Sequence, residues 1–222
     1  MVQTPRIYLA TSNSGKLRDF AGAAAIFGIE VAALPGFASL PPVEETGATF
    51  EANARKKAEE YSRSLKDAAA IVLADDSGLE VDALGGAPGV TSARYATLGS
   101  DSAAADAAAT NSGDADNNAR LLRELKATPE EQRRACFVCV IAAARGGGVL
   151  ATFRGEAEGS ILPAARGTRG FGYDPLFYSD RLKKTFAELS PEEKAAVSHR
   201  GLAFSKFLAW YRQQARRQAP AL

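Results

Sequence analysis

Residues 7–27 read IYLATSNSGKLRDFAGAAAIF, and this stretch decides the class of fold. Residues 7–10 are a short apolar run with the character of a strand, and residues 12–15 break it. From Lys16 onward Leu17, Phe20, Ala24 and Phe27 recur at helical spacing, and Gly28 suits the helix end. The segment is therefore strand, turn, helix. Moving outward, residues 30–34 read as a second strand and 35–42 as a loop. Residues 49–65 read as a helix with Phe50, Ala54, Ala58, Tyr61 and Leu65 on one stripe. Residues 71–74 form another short apolar run, which Asp75-Asp76-Ser77-Gly78 ends abruptly.

Residues 84–99 are rich in Gly, Pro and Ser and read as an ordered loop. Residues 100–112 are dominated by Ala, Asp and Ser, and their pattern does not choose between a helix and a mobile insertion. Residues 116–126 look helical. Residues 135–144 and 149–158 flank Gly146-Gly147-Gly148 and read as a hairpin. A Gly-rich loop at 164–175 and a helix at 198–212 follow, and residues 213–222 read as a frayed tail. Early strands alternating with helices, with a late hairpin, give an α/β class with a mixed sheet. The polar motifs fall where elements end, which is where α/β folds place ligands.

The chain has 222 residues, enough for one large domain or two fused lobes. Its 46% hydrophobic and 24% charged residues are ordinary for a globular protein. A net charge of +1 gives no basic surplus, so a small ligand is expected rather than nucleic acid. No secretory signal is expected from residues 1–6, and no window holds the ~18 apolar residues of a membrane span. The expected location is the cytoplasm. Cys136 and Cys139 have C-x-x-C spacing, yet His199 is the only histidine and no second ligand pair exists for zinc. Both lie in an apolar strand-like run, where a free cysteine acts as a small hydrophobe.

Five polar segments carry the chemistry. In Thr11-Ser12-Asn13-Ser14-Gly15-Lys16, a glycine-containing turn before a helix offers backbone N–H groups, the helix dipole and the Lys16 charge, all suited to phosphate. The Walker pattern is missing, and a simple cap by Ser12 or Ser14 is the alternative. Glu44 and Glu45 can hold a hard cation or form a solvated turn. Lys57 and Asn53 sit near the apolar stripe of their helix, so Lys57 either snorkels to solvent or points into a cleft. Asp75-Asp76 at the end of a buried strand suits magnesium and a positioned water better than turn chemistry alone. In Gly170-Phe171-Gly172-Tyr173-Asp174-Pro175, an aromatic between two glycines can reach the face of a base, or simply pack in a turn. Ser198 reads as an N-cap. That places His199 and Arg200 in a first turn, where positive charge opposes the dipole and invites an acceptor-rich ligand.

Together the segments TSNSGK, EETGATFEANARKKA, ADDSGLEVDALGGAPGVTSARYA, GFGYDP and KAAVSHRG resemble the inosine/xanthosine triphosphate pyrophosphatases. They run in that family's order from Thr11 to Gly201, and five in order are very specific. The resemblance implies an elongated α/β fold with two lobes around a central nucleotide-binding cleft, and a homodimer. It implies Mg²⁺-dependent hydrolysis of ITP, dITP and XTP at the α–β bond. Carried over, Thr11, Ser12, Asn13, Ser14, Gly15, Lys16 and Lys57 bind the triphosphate. Glu45, with or without Glu44, helps hold magnesium. Asp76 is the metal-linked catalytic acid, supported by Asp75. Ser77 contacts the nucleotide, Phe171 stacks on the base, and Gly172, Tyr173 and Asp174 shape its pocket. Lys194, His199 and Arg200 complete the contacts. Residues 100–112 match the family poorly and receive no role.

A chemical argument for selectivity accompanies the resemblance. Hypoxanthine and xanthine offer O6 as acceptor and N1–H as donor, whereas adenine presents the reverse pattern. Donors such as His199 or Arg200 match O6, Asp174 can accept from N1–H, and ATP then leaves buried groups unpaired. Two other readings stand beside this one: a pyrophosphatase for modified pyrimidine nucleotides, and a nucleotide-binding module without catalysis. FGYDP and SHRG argue against the first, and the Asp75-Asp76 pair against the second.

Overall fold

The computed structural model describes residues 6–98 and 111–218. Its strands are β1 (Ile7–Leu9), β2 (Ala32–Ala33), β3 (Ile71–Val81), β4 (Arg134–Arg145), β5 (Gly148–Ile161), β6 (Phe177–Ser179) and β7 (Lys184–Thr185). They form one sheet in the order β2-β1-β3-β4-β5-β6-β7. β1 pairs in parallel with β2 and β3, and β6 pairs antiparallel with β5 and β7, so the sheet is mixed. The helices are α1 (Ser14–Ile26), α2 (Phe50–Arg63), α3 (Asp114–Glu124), α4 (Pro191–Val197) and α5 (His199–Gln218). Among the described residues no helix is long and apolar enough to cross a membrane.

Two compact units can be distinguished. The first takes residues up to 76, 139–156 and 195 onward, and the second 77–138 and 157–194. In the first unit, α1 and α5 bury their apolar faces on the sheet with Ile7, Leu9, Leu73, Ile141 and Phe153. Phe20 of α1 meets Phe204 of α5 at 6.0 Å between ring centroids. Gly155 on β5 makes the docking of α5 possible. A Cβ there would lie 2.1 Å from the carbonyl oxygen of His199 and 2.4 Å from the amide of Ala203. The second unit is built on Phe137, Phe177 and Phe186, with centroids 4.5–5.7 Å apart.

The structure departs from the sequence reading in instructive places. The third strand does not end at Ala74; β3 continues through both aspartates to Val81. Acidic residues are poor strand formers, but each acid here has a cation to offset its burial. The earlier boundary does mark a real change. The ladder to β1 involves Ile71–Leu73 only, so the acids lie just past the carboxyl end of the parallel pairing. The cap of α1 is Asn13, whose Oδ1 accepts from the amide of Lys16 at 3.0 Å, and not Ser12 or Ser14. Thr49 caps α2 and Ser198 caps α5. α5 stays helical to Gln218, past the expected end at Arg212. The segment 100–112, up to residue 110, lies outside the described residues, as do residues 219–222. Cys136 and Cys139 lie on β4, the first half-buried and the second buried. Burial pushes the Cys139 thiol far above its ordinary value.

Candidate active site

In the first unit the acids of β3 are sorted by the pleat. Successive strand residues project to opposite faces, so Asp75 and Asp76 do not form a paired carboxylate. Asp76 goes to α2. Its Oδ2 accepts from Asn53 Nδ2 at 3.0 Å and its Oδ1 lies 3.4 Å from Lys57 Nζ. Lys57 also meets Glu45 Oε1 at 3.0 Å. Asn53, Ala54, Lys57 and Ala58 all lie on the buried stripe of α2. Lys57 thus points inward because two carboxylates compensate its burial. Asn53 fixes the acidic loop as well, accepting from the amide of Gly47 at 2.7 Å and donating to its carbonyl at 3.3 Å. Glu44 is exposed, and the loop uses only its carbonyl, which accepts from Lys56 Nζ at 2.7 Å.

Burial raises the Asp76 carboxyl, Lys57 pulls it down, Glu45 pushes it up, and the balance lies above the ordinary carboxylate range. Burial works against the Lys57 ammonium, but Asp76, Glu45 and Asp75 outweigh it and raise it. The donors around Lys57 are hard carboxylate oxygens, Glu45 and Asp76, which suit a magnesium ion that keeps water and phosphate ligands. Among the described residues no group of three or more His, Cys, Asp or Glu offers an all-protein cage.

Asp75 goes to α1. Its Oδ2 lies 2.9 Å from Lys16 Nζ, with the carboxylate almost wholly buried. Burial pushes this carboxyl up, but Lys16, Arg200 and Lys57 together hold it below its ordinary value. Arg200, in the first turn of α5, lies near enough to act on Asp75, and its Nη1 pairs with Asp19 Oδ2 at 3.1 Å. Ser198, His199 and Arg200 are all buried. Thr11 Oγ1 accepts from the amide of Asn13 at 3.2 Å, which shapes the turn. With Lys16 N–H and Leu17 N–H taken by Asn13, the amides of Ser14 and Gly15 are the donors left at the start of α1.

The second unit holds Ser77, which follows Asp76 on β3, and the residues of the Gly-rich loop 164–175. Asp174 Oδ2 accepts from the amide of Phe171 at 2.9 Å and from Lys194 Nζ at 2.7 Å. Lys194 stands 5.1 Å from the centroid of the Phe171 ring. Gly170 has φ 77°, and a Cβ there would lie 2.0 Å from Asp174 Oδ2, so glycine is required. Tyr173 donates to the carbonyl of Ser92 at 2.8 Å.

Within the first unit the structure brings together Lys16, Glu45, Lys57, Asp76 and Arg200; within the second, Phe171, Asp174 and Lys194. It leaves Ser12, Ser14 and Glu44 exposed. Sequence reasoning gave no role to Asn53 or Asp19. Asn53 carried a visible signal, an amide on an apolar stripe. Asp19 carried none, because its partner lies 181 residues away.

The Ham1 family model matches residues 7–210. A dITP/XTP pyrophosphatase of Geobacillus kaustophilus is 50% identical over 200 residues, covering 90% of this chain and 91% of that protein. One from Acidobacterium capsulatum is 48% identical over 203 residues, covering 91% and 96%. The solved Ham1 protein of Staphylococcus aureus has a TM-score of 0.76 and 39% identity, covering 94% of this chain and 99% of that one.

Proposed function

The chain belongs to the Ham1 family, and from that premise we propose that it is a Mg²⁺-dependent nucleoside triphosphate pyrophosphatase. It hydrolyses ITP, dITP and XTP to the monophosphate and pyrophosphate. The relatives named dITP/XTP pyrophosphatase support the reaction class. The observation that carries the chemistry is Asp76, a buried carboxylate held by Asn53 and Lys57 with Glu45 on the same ammonium.

Asp76 accepts a proton from the water that attacks the α-phosphorus, as the α–β anhydride bond breaks. Asn53 and Lys57 fix its two oxygens, so its orientation precedes substrate. Lys16, Lys57 and the amides at the start of α1 receive the triphosphate charge. Glu45 and Asp76 would hold Mg²⁺, which when bound neutralises phosphate charge. Phe171 stacks on the base, and Asp174, Lys194, His199 and Arg200 supply polar selectivity. A homodimer in the cytoplasm is the form this reading gives the enzyme.

The test is pyrophosphate release from ITP, dITP, XTP, GTP and ATP, with Mg²⁺ and with chelator. Fast Mg²⁺-dependent release from the first three, with little from GTP or ATP, is expected. Orthophosphate release, or equal turnover of ATP, overturns the reading. Binding without any product would leave only a nucleotide-binding module.

A further inference from the structure

The loop that carries Phe171 does not hold its shape alone. The amide of Gly172 donates to Asp114 Oδ2 at 2.7 Å, and its carbonyl accepts from Asn118 Nδ2 at 3.0 Å. Asp114 and Asn118 are four residues apart on α3, so they stand on one face of that helix. They grip the N–H and the C=O of the residue directly after the aromatic. Gly172 has φ 61°, a conformation that two opposed bonds can fix where a glycine would otherwise wander.

A neighbouring face of α3 makes a separate attachment. Asn117 Oδ1 accepts from the amide of Ala96 at 2.7 Å, and its Nδ2 donates to the carbonyl of Ala93 at 3.3 Å. Arg120 donates to the carbonyl of Leu98 at 2.7 Å, and Tyr95 donates to Glu124. These bonds join α3 to the 3-10 segment Gly89–Thr97. Tyr173 of the base loop reaches that segment too, through Ser92. The helix is therefore anchored without Asp114 or Asn118. The Nδ2 of Asn118 serves Gly172, while its Oδ1 is buried with no partner among the described residues.

We propose that Asp114 and Asn118 are positioning residues for substrate selectivity, clamping the Gly172 peptide so that the Phe171 ring is presented ready to stack on a purine. This rests on the proposed role of Phe171. The clamp removes a conformational cost of binding and does not touch the reacting phosphates. Its loss should raise KM and spare kcat, because it weakens ground state and transition state alike.

The experiment measures kcat and KM for ITP in Asp114→Ala, Asn118→Ala, Asp114→Asn and Phe171→Ala, and in Phe171→Ala combined with Asp114→Ala. Melting temperatures are recorded alongside. Each alanine variant of the clamp should raise KM about fivefold, the size of one lost hydrogen bond, with kcat within about twofold. Asp114→Asn keeps an acceptor for the Gly172 amide and should restore a KM near the parent. In the Phe171→Ala background, Asp114→Ala should add almost nothing, since the clamp acts through that ring. Loss of kcat in parallel with melting temperature, or an undiminished effect in that background, overturns the clamp. A clear effect of Phe171→Ala with none from Asp114→Ala or Asn118→Ala overturns the clamp alone. No effect of Phe171→Ala overturns the stacking role and the clamp with it.

Discussion

Asp76 combines two properties that normally conflict. It is buried, and it faces Glu45 across a shared lysine, so its ionised form is held at a cost in the metal-free protein. An acid raised in the folded state contributes stability below the ordinary aspartate range, and loses it as pH rises through the folded value. At pH 7, with chelator present, Asp76→Asn relieves that cost but removes one of the two carboxylates that compensate Lys57, so its melting temperature should stay close to the parent's. Turnover should drop by roughly 10²–10⁴-fold. Thermal melts and pyrophosphate assays on the same preparation check both halves, and a near-normal rate would remove Asp76 from the mechanism. Asp75 has the opposite sign. Its carboxyl is depressed, so its stabilisation is present above the ordinary aspartate range and fades as pH falls through the lower folded value. Asp75→Asn should destabilise at neutral pH by about 1–3 kcal/mol, and the gap to the parent should close on acidification.

At the level of elements, the sequence revealed what has a period. α1, α2 and the β4–β5 hairpin were legible from apolar spacing and the glycine turn. Lys57 was legible because a lysine on an apolar stripe demands a reason. β6, β7 and α4 were not: they span three, two and seven residues, too few for a period, and β1 and β2, equally short, were legible only from the strand-turn-helix context around them. β3 was cut short because two acids look like a terminus until Lys16 and Lys57 are placed beside them. The ion pair of Arg200 with Asp19 depends on α5 meeting α1, which no local pattern encodes. That meeting rests in turn on Gly155. Gly155→Ala forces a methyl into the backbone of α5 and should cost about 1–3 kcal/mol. Denaturant titration would register this, and an unchanged midpoint would show that α5 can move away from β5. Thr49→Ala, which removes only a cap of α2, should cost nearer 1 kcal/mol.

For the whole molecule, buried phenols contribute to the alkaline loss of stability. Burial and the bond to Glu124 push Tyr95 up to about 12, and burial also raises Tyr173 and Tyr211. In the unfolded chain these groups ionise near pH 10. The stability they supply is intact below that value and declines as pH climbs from about 10 towards 12. Melting curves across that window should fall more steeply for the parent than for Tyr95→Phe. Light scattering would meanwhile decide the homodimer. The placement of the thiols on β4 has a practical side for spectroscopy. Cys139 is sealed in the core with its proton held tightly, while three positions earlier Cys136 faces the other side and is partly open. The native enzyme should consume one equivalent of a thiol reagent quickly and the second only in denaturant. It therefore comes equipped for attachment of a single fluorophore or spin label without any mutation.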